Sequence, residues 1–291
     1  MRQILFQYGP MAIPSYGLFI ALGVIVAMAC AESLARRHGL EPFLMLDTGI
    51  IAFIAGVVGT KAFFQVFANE TLWLEDTAGE HGGHSFFAGM FSAMVAGLIF
   101  LKVRGKPILK VMDIFFVFLP LGHAIGRVGC LLYGCCYGKL CTASFPFALK
   151  FPPIRDAFNQ LAGSPAFRDH LGKGLITDTS TYSLAVYPTQ LFAILSGLII
   201  FGILFFIFSK WKSKMKPGTI IATYCVLYGP LRIVEECFRE SPRYWGVLTK
   251  SQIIAMITLI IGICGMILLR RSVKTAKKGT EPFSWIKGFV G

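Results

Sequence analysis

The chain is expected to fold as an all-α polytopic membrane protein, a single integral domain over residues 1–291. About seven transmembrane helices are expected, with a small extracytoplasmic head, 139–186, inserted between spans four and five. Three observations carry this. The composition is 55% hydrophobic and 15% charged with a mean hydropathy of +0.66, which is too apolar for a soluble domain of this length. Apolar runs long enough for a bilayer recur seven times. The basic residues cluster just beyond those runs, as topology signals do.

The first run, 16–35, follows PSYGL and ends on Arg36 and Arg37. The second, 45–68, contains Lys61 and leads into an acidic loop, NETLWLEDTAGEHGGH. The third, 86–101, is short and begins near glycines, as an unwound segment lining a cavity does. Lys102, Arg104, Lys106 and Lys110 follow it. The fourth, 112–132, runs into the cysteine-rich CLLYGCCYG. The segment 139–186, with FPFALKFPPIRDAF, has mixed charge, prolines and aromatics; it is too polar to span and suits a small head with amphipathic pieces at the surface. The fifth run, 187–208, precedes Lys210, Lys212, Lys214 and Lys216; the sixth is 218–238; the seventh, 253–269, precedes a further basic cluster from Arg270 to Lys287. Sixteen basic residues thus fall on one side and nine on the other, which places the N-terminus outside and the C-terminus in the cytoplasm. The net charge of +13 is accounted for by this clustering and by anionic lipid, so nucleic acid is not expected as a partner.

Chemistry is expected where charge enters the apolar runs. Arg127, with His123 one turn earlier, lies in DIFFVFLPLGHAIGRVGCLLYGCCYG. An arginine at the centre of a span costs about 2.5–3.5 kcal/mol on insertion scales, so it is expected to face a cavity or a partner. Gly122, Gly126, Gly129, Gly134 and Gly138 form a small-residue face beside it, where a backbone or a headgroup can approach. The other ionisable residues at depth are Lys61, Arg232, Glu235 and Glu236. If Arg232 pairs with either carboxylate, Arg127 and Lys61 are left to an anion, and a phospholipid phosphate matches the guanidinium fork. The alternative is a salt-bridge network that only staples helices. Tyr16, Tyr133, Tyr187 and Tyr228 are interfacial aromatics or headgroup contacts, and Gln190 and Gln252 stand at expected helix starts.

Four of the eight cysteines, Cys130, Cys135, Cys136 and Cys141, fall within twelve residues. The spacing is not that of a zinc ribbon and no histidine follows at ligand distance, so no metal site is expected. A disulfide from Cys141 to one of the other three stays open if that end faces an oxidising space.

Taken together, the motifs resemble the prolipoprotein diacylglyceryl transferase family, bacterial inner-membrane enzymes that move diacylglyceryl from phosphatidylglycerol to the lipobox cysteine of preprolipoproteins. PSYGL supplies Tyr16, and GTKAFF puts Lys61 where the family has an arginine. GRVGCLLYGCCYG stands for GRxGNFxNGExxG, keeping Gly126, Arg127 and Gly138 but placing Cys130, Tyr133 and Cys135 at the asparagine, asparagine and glutamate positions. YPTQLFA, with Gln190, stands for HPSQLYE. YGPLRIVEECFR keeps Tyr228, Arg232, Glu236, Phe238 and Arg239 in register. The family histidine of SFHGG reads Phe87 here, in SFFAG.

The resemblance implies thioether formation by attack of a cysteine thiolate on the glyceryl carbon, with glycerol 1-phosphate leaving. It implies phosphatidylglycerol, preprolipoprotein signal peptides and membrane lipid as partners, no metal or organic cofactor, and a multi-pass location in the bacterial inner membrane. Arg127 and Arg232 then stabilise the phosphate, Lys61 supplements them, and Tyr228 positions the headgroup. Tyr16, Gln190, Glu236, Gly126 and Gly138 complete the substrate site. With Phe87 in the histidine position, His84 or His123 is expected to help the thiol lose its proton. Loss of general-base help, worth about 10²- to 10⁴-fold in rate, leaves a slow enzyme and not a dead one as long as the arginines stabilise the leaving phosphate. Two other readings share the same residues: a paralogue serving another acceptor, with Cys135 or Cys136 as a covalent relay, and a phospholipid-binding protein without catalysis.

Overall fold

The structure, a computed structural model, describes residues 4–8, 11–67, 82–153, 164–211, 215–240, 243–244 and 248–276. An N-terminal hairpin, β1 (Ile4–Tyr8) and β2 (Met11–Pro14), leads into α1 (Ser15–Arg36), α2 (Leu44–Phe67), α3 (Gly82–Val103) and α4 (Ile108–Tyr133). A short α5 (Pro165–Gly172) precedes α6 (Thr189–Trp211) and α7 (Thr219–Cys237). The antiparallel pair β3 (Arg243–Tyr244) and β4 (Leu248–Thr249) then leads into α8 (Lys250–Ala276).

Each of the seven apolar runs coincides with a long helix. Among the described residues, five of these, α1, α2, α4, α6 and α8, are long and apolar enough to cross a membrane. The described apolar stretch of α3 is shorter, Ala88–Val103, and α7 carries Arg232, Glu235 and Glu236. The helices turn large apolar side chains outward, among them Ile25, Phe53, Phe91 and Ile260, each more than half exposed. Such an exterior suits hydrocarbon and not water.

The described residues fall into two compact units, Met1–Ala27 with Phe116–Lys278, and Met28–Phe115. In the second, α2 and α3 pack through small residues: a Cβ on Gly59 would stand 2.0 Å from Ser92 Oγ, and one on Gly89 would stand 2.2 Å from Thr60 Oγ1. The buried Glu32 carboxylate closes the turn into α2, accepting from Arg36 Nε (2.7 Å) and from the backbone N–H groups of Phe43 (2.6 Å) and Met45 (3.2 Å). It thereby satisfies donors at the start of α2 that have no partner within the helix.

In the first unit, the N-terminal part of α1 meets α4 where Gly23 and Gly122 face each other. A Cβ on Gly23 would lie 2.5 Å from the Gly122 carbonyl oxygen, so backbone rests on backbone. Gly197 brings α6 against Pro120 and Ala124 of α4 in the same way. α7 packs on α6 and α8. Pro120 and Pro230 lie inside α4 and α7, each removing a hydrogen bond from its helix within a turn of His123 or Arg232.

The chain between α4 and α6 makes a small folded segment at the position expected for the head. Leu140 and Leu149 bridge to Val186, and Phe151, Ala166 and Val186 form its buried core. Ser164 caps α5 by accepting from Phe167 N–H, with Pro165 following at the first helical position. His170 is buried beside this core, its Nδ1 accepting from Leu184 N–H at 3.2 Å.

Candidate active site

A narrow cleft opens among α4, α6 and α7, lined by Pro120, His123, Ser196, Gly197, Ile200, Tyr224, Tyr228, Leu231, Arg232 and Glu235. Helical periodicity puts its polar groups together. His123 and Arg127 are four apart on α4, and Tyr224, Tyr228, Arg232 and Glu235 recur at three- and four-residue steps on α7.

The two arginines are held differently. Arg232 is paired twice, Nη2 to Glu236 Oε2 at 2.8 Å and Nη1 to Glu235 Oε2 at 3.8 Å, with its side chain 11% exposed. Ser196 Oγ of α6 donates to the other oxygen of Glu235, tying the neighbouring helix to the pair. The pairing expected from sequence is therefore present, with both carboxylates. Arg127 donates from Nε to His123 Nε2 at 3.0 Å. Among the described residues no carboxylate stands within ion-pair distance of it. Its guanidinium lies within electrostatic reach of Cys130, Cys136, Tyr228 and Glu235. Arginine has no acceptor, so His123 Nε2 carries no proton and its lone pair is used in orienting Arg127. That leaves His123 poorly placed to accept a proton from a substrate thiol, the role for which His84 and His123 were the two candidates from sequence.

Tyr228 stacks on Tyr224 with ring centroids 5.3 Å apart and planes at 13°. Tyr16, at the start of α1, is 42% exposed and lies 6.0 Å from the Tyr133 ring. A Cβ on Gly126 would meet only Ile20, at 3.8 Å, so space remains there. Gly138 has a packing duty instead: a Cβ would stand 2.7 Å from Phe238 O, Tyr187 O and Tyr187 Cβ, and its N–H bonds Tyr187 O at 3.1 Å. Lys61 is exposed on α2, in the other compact unit. His84 and Phe87 belong to the backbone of α3, and their side chains lie outside the described residues.

After α4 the chain makes a tight turn. Gly134 (φ 81°) and Cys136 (φ 56°) both take left-handed conformations. For a residue with a Cβ this is uncommon, costing about 1–2 kcal/mol, and the surroundings hold it. Thr189 Oγ1 donates to Cys136 O and Gln190 Nε2 to Cys135 O, both at 2.8 Å, so the first turn of α6 grips the two cysteines by their carbonyls. Gln190 is completely buried by this role. The outcome is that the sulfurs of Cys130, Cys135 and Cys136 lie within 4.8 Å of one another. All three are free thiols, as is Cys141, which stands apart on a segment bonded to Ala185. Sequence reasoning passed over Thr189, Ser196 and Tyr224; Ser196–Gly197, a polar and small pair within an otherwise apolar helix, was the available signal.

Long apolar helices around a cleft that holds a carboxylate-paired arginine and two stacked phenols, with Arg127 bonded to His123 of the cleft wall and, among the described residues, to no carboxylate, define a multi-helix membrane protein with a cationic site inside it. Comparison with known proteins narrows this class. Prolipoprotein diacylglyceryl transferase is the family whose profile matches, over residues 3–268, and the chain belongs to that family. It is similar to the phosphatidylglycerol–prolipoprotein diacylglyceryl transferase of Clostridium tetani, with 27% identity over 90% of this chain and 96% of that one. The protein of the same name from Finegoldia magna is 26% identical over 94% and 98%, and that of Citrobacter koseri 28% identical over 91% of each.

Proposed function

We propose that this protein transfers the diacylglyceryl group of phosphatidylglycerol to the lipobox cysteine thiol of preprolipoproteins, releasing glycerol 1-phosphate. The observation that carries the reading is Arg127: an arginine inside a membrane helix, oriented by His123 and unmatched by any described carboxylate. An interior cation kept this way is arranged for an anion that arrives. The anion is the lipid phosphate, held by the guanidinium fork of Arg127. Arg232, already balanced by Glu235 and Glu236, contributes hydrogen bonding on the facing helix, and Tyr228 positions the headgroup. As the thiolate attacks the glyceryl carbon, the C–O bond breaks and charge gathers on the departing phosphate. Donors fixed beforehand at that place stabilise the transition state more than the ground state. Tyr16 and Gly126 are proposed to border the path of lipid and peptide, and Lys61, exposed on α2, is proposed as a supplementary cation for the lipid phosphate.

The topology that goes with this is seven spans, with α3 and α7 crossing the membrane beside the five most apolar helices, and the 139–186 segment and the N-terminus outside the cytoplasm. α7 is compatible with a membrane because its three ionisable side chains pair with one another. The test is thioether formation on a lipobox peptide with labelled phosphatidylglycerol, joined to rescue of growth in a bacterium depleted of its own transferase. Transfer and rescue are expected. Phospholipid binding with neither would identify a phospholipid-binding protein without catalysis.

A further inference from the structure

We propose that Cys130, Cys135 and Cys136 bind one zinc ion and leave its fourth position to the acceptor cysteine thiol. The metal site stands on the geometry alone; its catalytic part rests on the transferase reading above.

Three thiolates around a common zinc at about 2.3 Å stand about 4 Å apart. The three sulfurs already lie within 4.8 Å of one another, so sub-ångström adjustments close the site. Their convergence is built in. The left-handed φ of 56° at Cys136 lets two consecutive side chains turn toward Cys130 on the last turn of α4, and Thr189 and Gln190 fix both carbonyls of the turn. The carboxamide that holds Cys135 has its other atom, Gln190 Oε1, buried with no hydrogen-bond partner among the described residues, a polar atom beside the cluster that a ligand or its water can use. Charge is matched as well. Three thiolates and a dication carry one net negative charge, and Arg127 and Arg239 lie within electrostatic reach of Cys136.

No fourth histidine, cysteine or carboxylate joins the three sulfurs among the described residues. Cys141 stands apart, His123 Nε2 is engaged by Arg127, and Glu235 and Glu236 are engaged by Arg232. Three protein ligands with an open position are the mark of a reactive zinc, where four would make a structural one. A thiol entering that position is deprotonated outright, which does the work of a base in a chain with phenylalanine where its resemblance calls for a histidine. The acceptor thiol gives its proton to water on coordination. Its sulfur forms the S–C bond to the glyceryl carbon, the C–O bond to phosphate breaks, and the electron pair leaves on glycerol 1-phosphate beside Arg127. The thioether product, a poor zinc ligand, then departs.

The experiment uses the full chain in detergent micelles with lipid. Loaded with zinc and dialysed, it is expected to retain one equivalent, and with cobalt in place of zinc to show sulfur-to-metal charge-transfer absorption. Cys130→Ser, Cys135→Ser and Cys136→Ser should each weaken zinc binding by about 100-fold or more, whereas Cys141→Ser should not. Zinc should raise the unfolding temperature of wild type and Cys141→Ser alone, which separates lost binding from lost folding. Metal content unaffected by the three substitutions, preference for monovalent copper over zinc, or a disulfide among the three cysteines in the native protein would overturn the site. A lipobox peptide should alter the cobalt spectrum and its Cys→Ala counterpart should not; full transferase activity after zinc removal would overturn the catalytic part while leaving the transferase reading standing. Zinc bound as described with no transfer under any metal condition would sink the transferase reading and the catalytic part with it, leaving the site.

Discussion

Replacing Arg127 by lysine keeps the charge and removes two geometric features. The first is the Nε donor that bonds His123 at 3.0 Å, a neutral-acceptor hydrogen bond worth about 1 kcal/mol. The second is the planar fork proposed above to hold the phosphate; a compact ammonium replaces a bidentate contact by one hydrogen bond, at a cost of about 1.5–3 kcal/mol. Together these predict a loss of about 2.5–4 kcal/mol in transition-state stabilisation, roughly 70- to 900-fold in kcat/KM. The two costs can be separated. In a His123→Ala background the Nε bond is already gone, so Arg127→Lys should cost only the fork, and the double-mutant cycle should show a coupling of about 1 kcal/mol. The assay is transfer from labelled phosphatidylglycerol to a lipobox peptide in mixed micelles, with each variant checked for insertion and for thermal stability. Arg127→Lys within about threefold of wild type would show a simple point charge and refute the fork. Additivity within about 0.3 kcal/mol would refute the orienting role of His123.

Glu236→Gln removes the closer carboxylate from Arg232, leaving it with Glu235 at 3.8 Å; a destabilisation of about 3 kcal/mol is expected in thermal unfolding, because one partner of a buried pair is lost. For His170, burial pushes the imidazole pKa down despite the opposing charge of Asp169. The unfolded chain therefore takes up a proton near pH 6.5 that the folded segment resists, so stability should fall as pH drops below about 6.5, and His170→Gln should flatten that slope in pH-resolved unfolding. If His84 handles the thiol proton, native transferase activity is weak, falls with His84→Ala and rises with Phe87→His; if zinc on the cysteine cluster handles it, both variants leave the rate of the zinc-loaded protein unchanged, and transfer measured for the two variants decides between them. Reporter fusions after Arg37, Arg104, Lys214 and Lys278 should read as cytoplasmic, and fusions at Asp76 and Gly163 as outside. A cytoplasmic signal at Gly163 would overturn the seven-span arrangement.

The long helices were legible because a bilayer-length apolar run leaves the backbone little choice but to satisfy itself. The pairing of Arg232 was legible for a local reason: Glu235 and Glu236 stand three and four residues on, which a helix turns into contact. Glu32 was overlooked inside the first run because its partners, Phe43 and Met45, lie across a loop whose path no periodicity announces, although Arg36 four residues later was a usable signal. The thiol cluster was equally hidden. The spacing of Cys130, Cys135 and Cys136 fits no familiar metal pattern, and their meeting depends on two left-handed residues and on carbonyl clamps from a helix more than fifty residues away. α5, by contrast, announced itself in Ser164–Pro165 and was passed over because its apolar content is low.

The ion triad of α7 also bears on biogenesis. On the seven-span topology proposed above, a helix emerging from the ribosome with one guanidinium and two carboxylates faces an insertion penalty of several kcal/mol, since each such charge costs about 2.5–3.5 kcal/mol at the centre of a span. Its compensation is partly its own, through Arg232, and partly borrowed: Ser196 of α6 holds Glu235, and Gly229 lies against Ala255 and Leu259 of α8. α7 is then a passenger that enters the lipid as one arm of a hairpin with the apolar α8, after α6 is already in place. The strongly apolar helices flanking this segment thereby act during synthesis as the escort that lets a charged helix settle where the chemistry needs it.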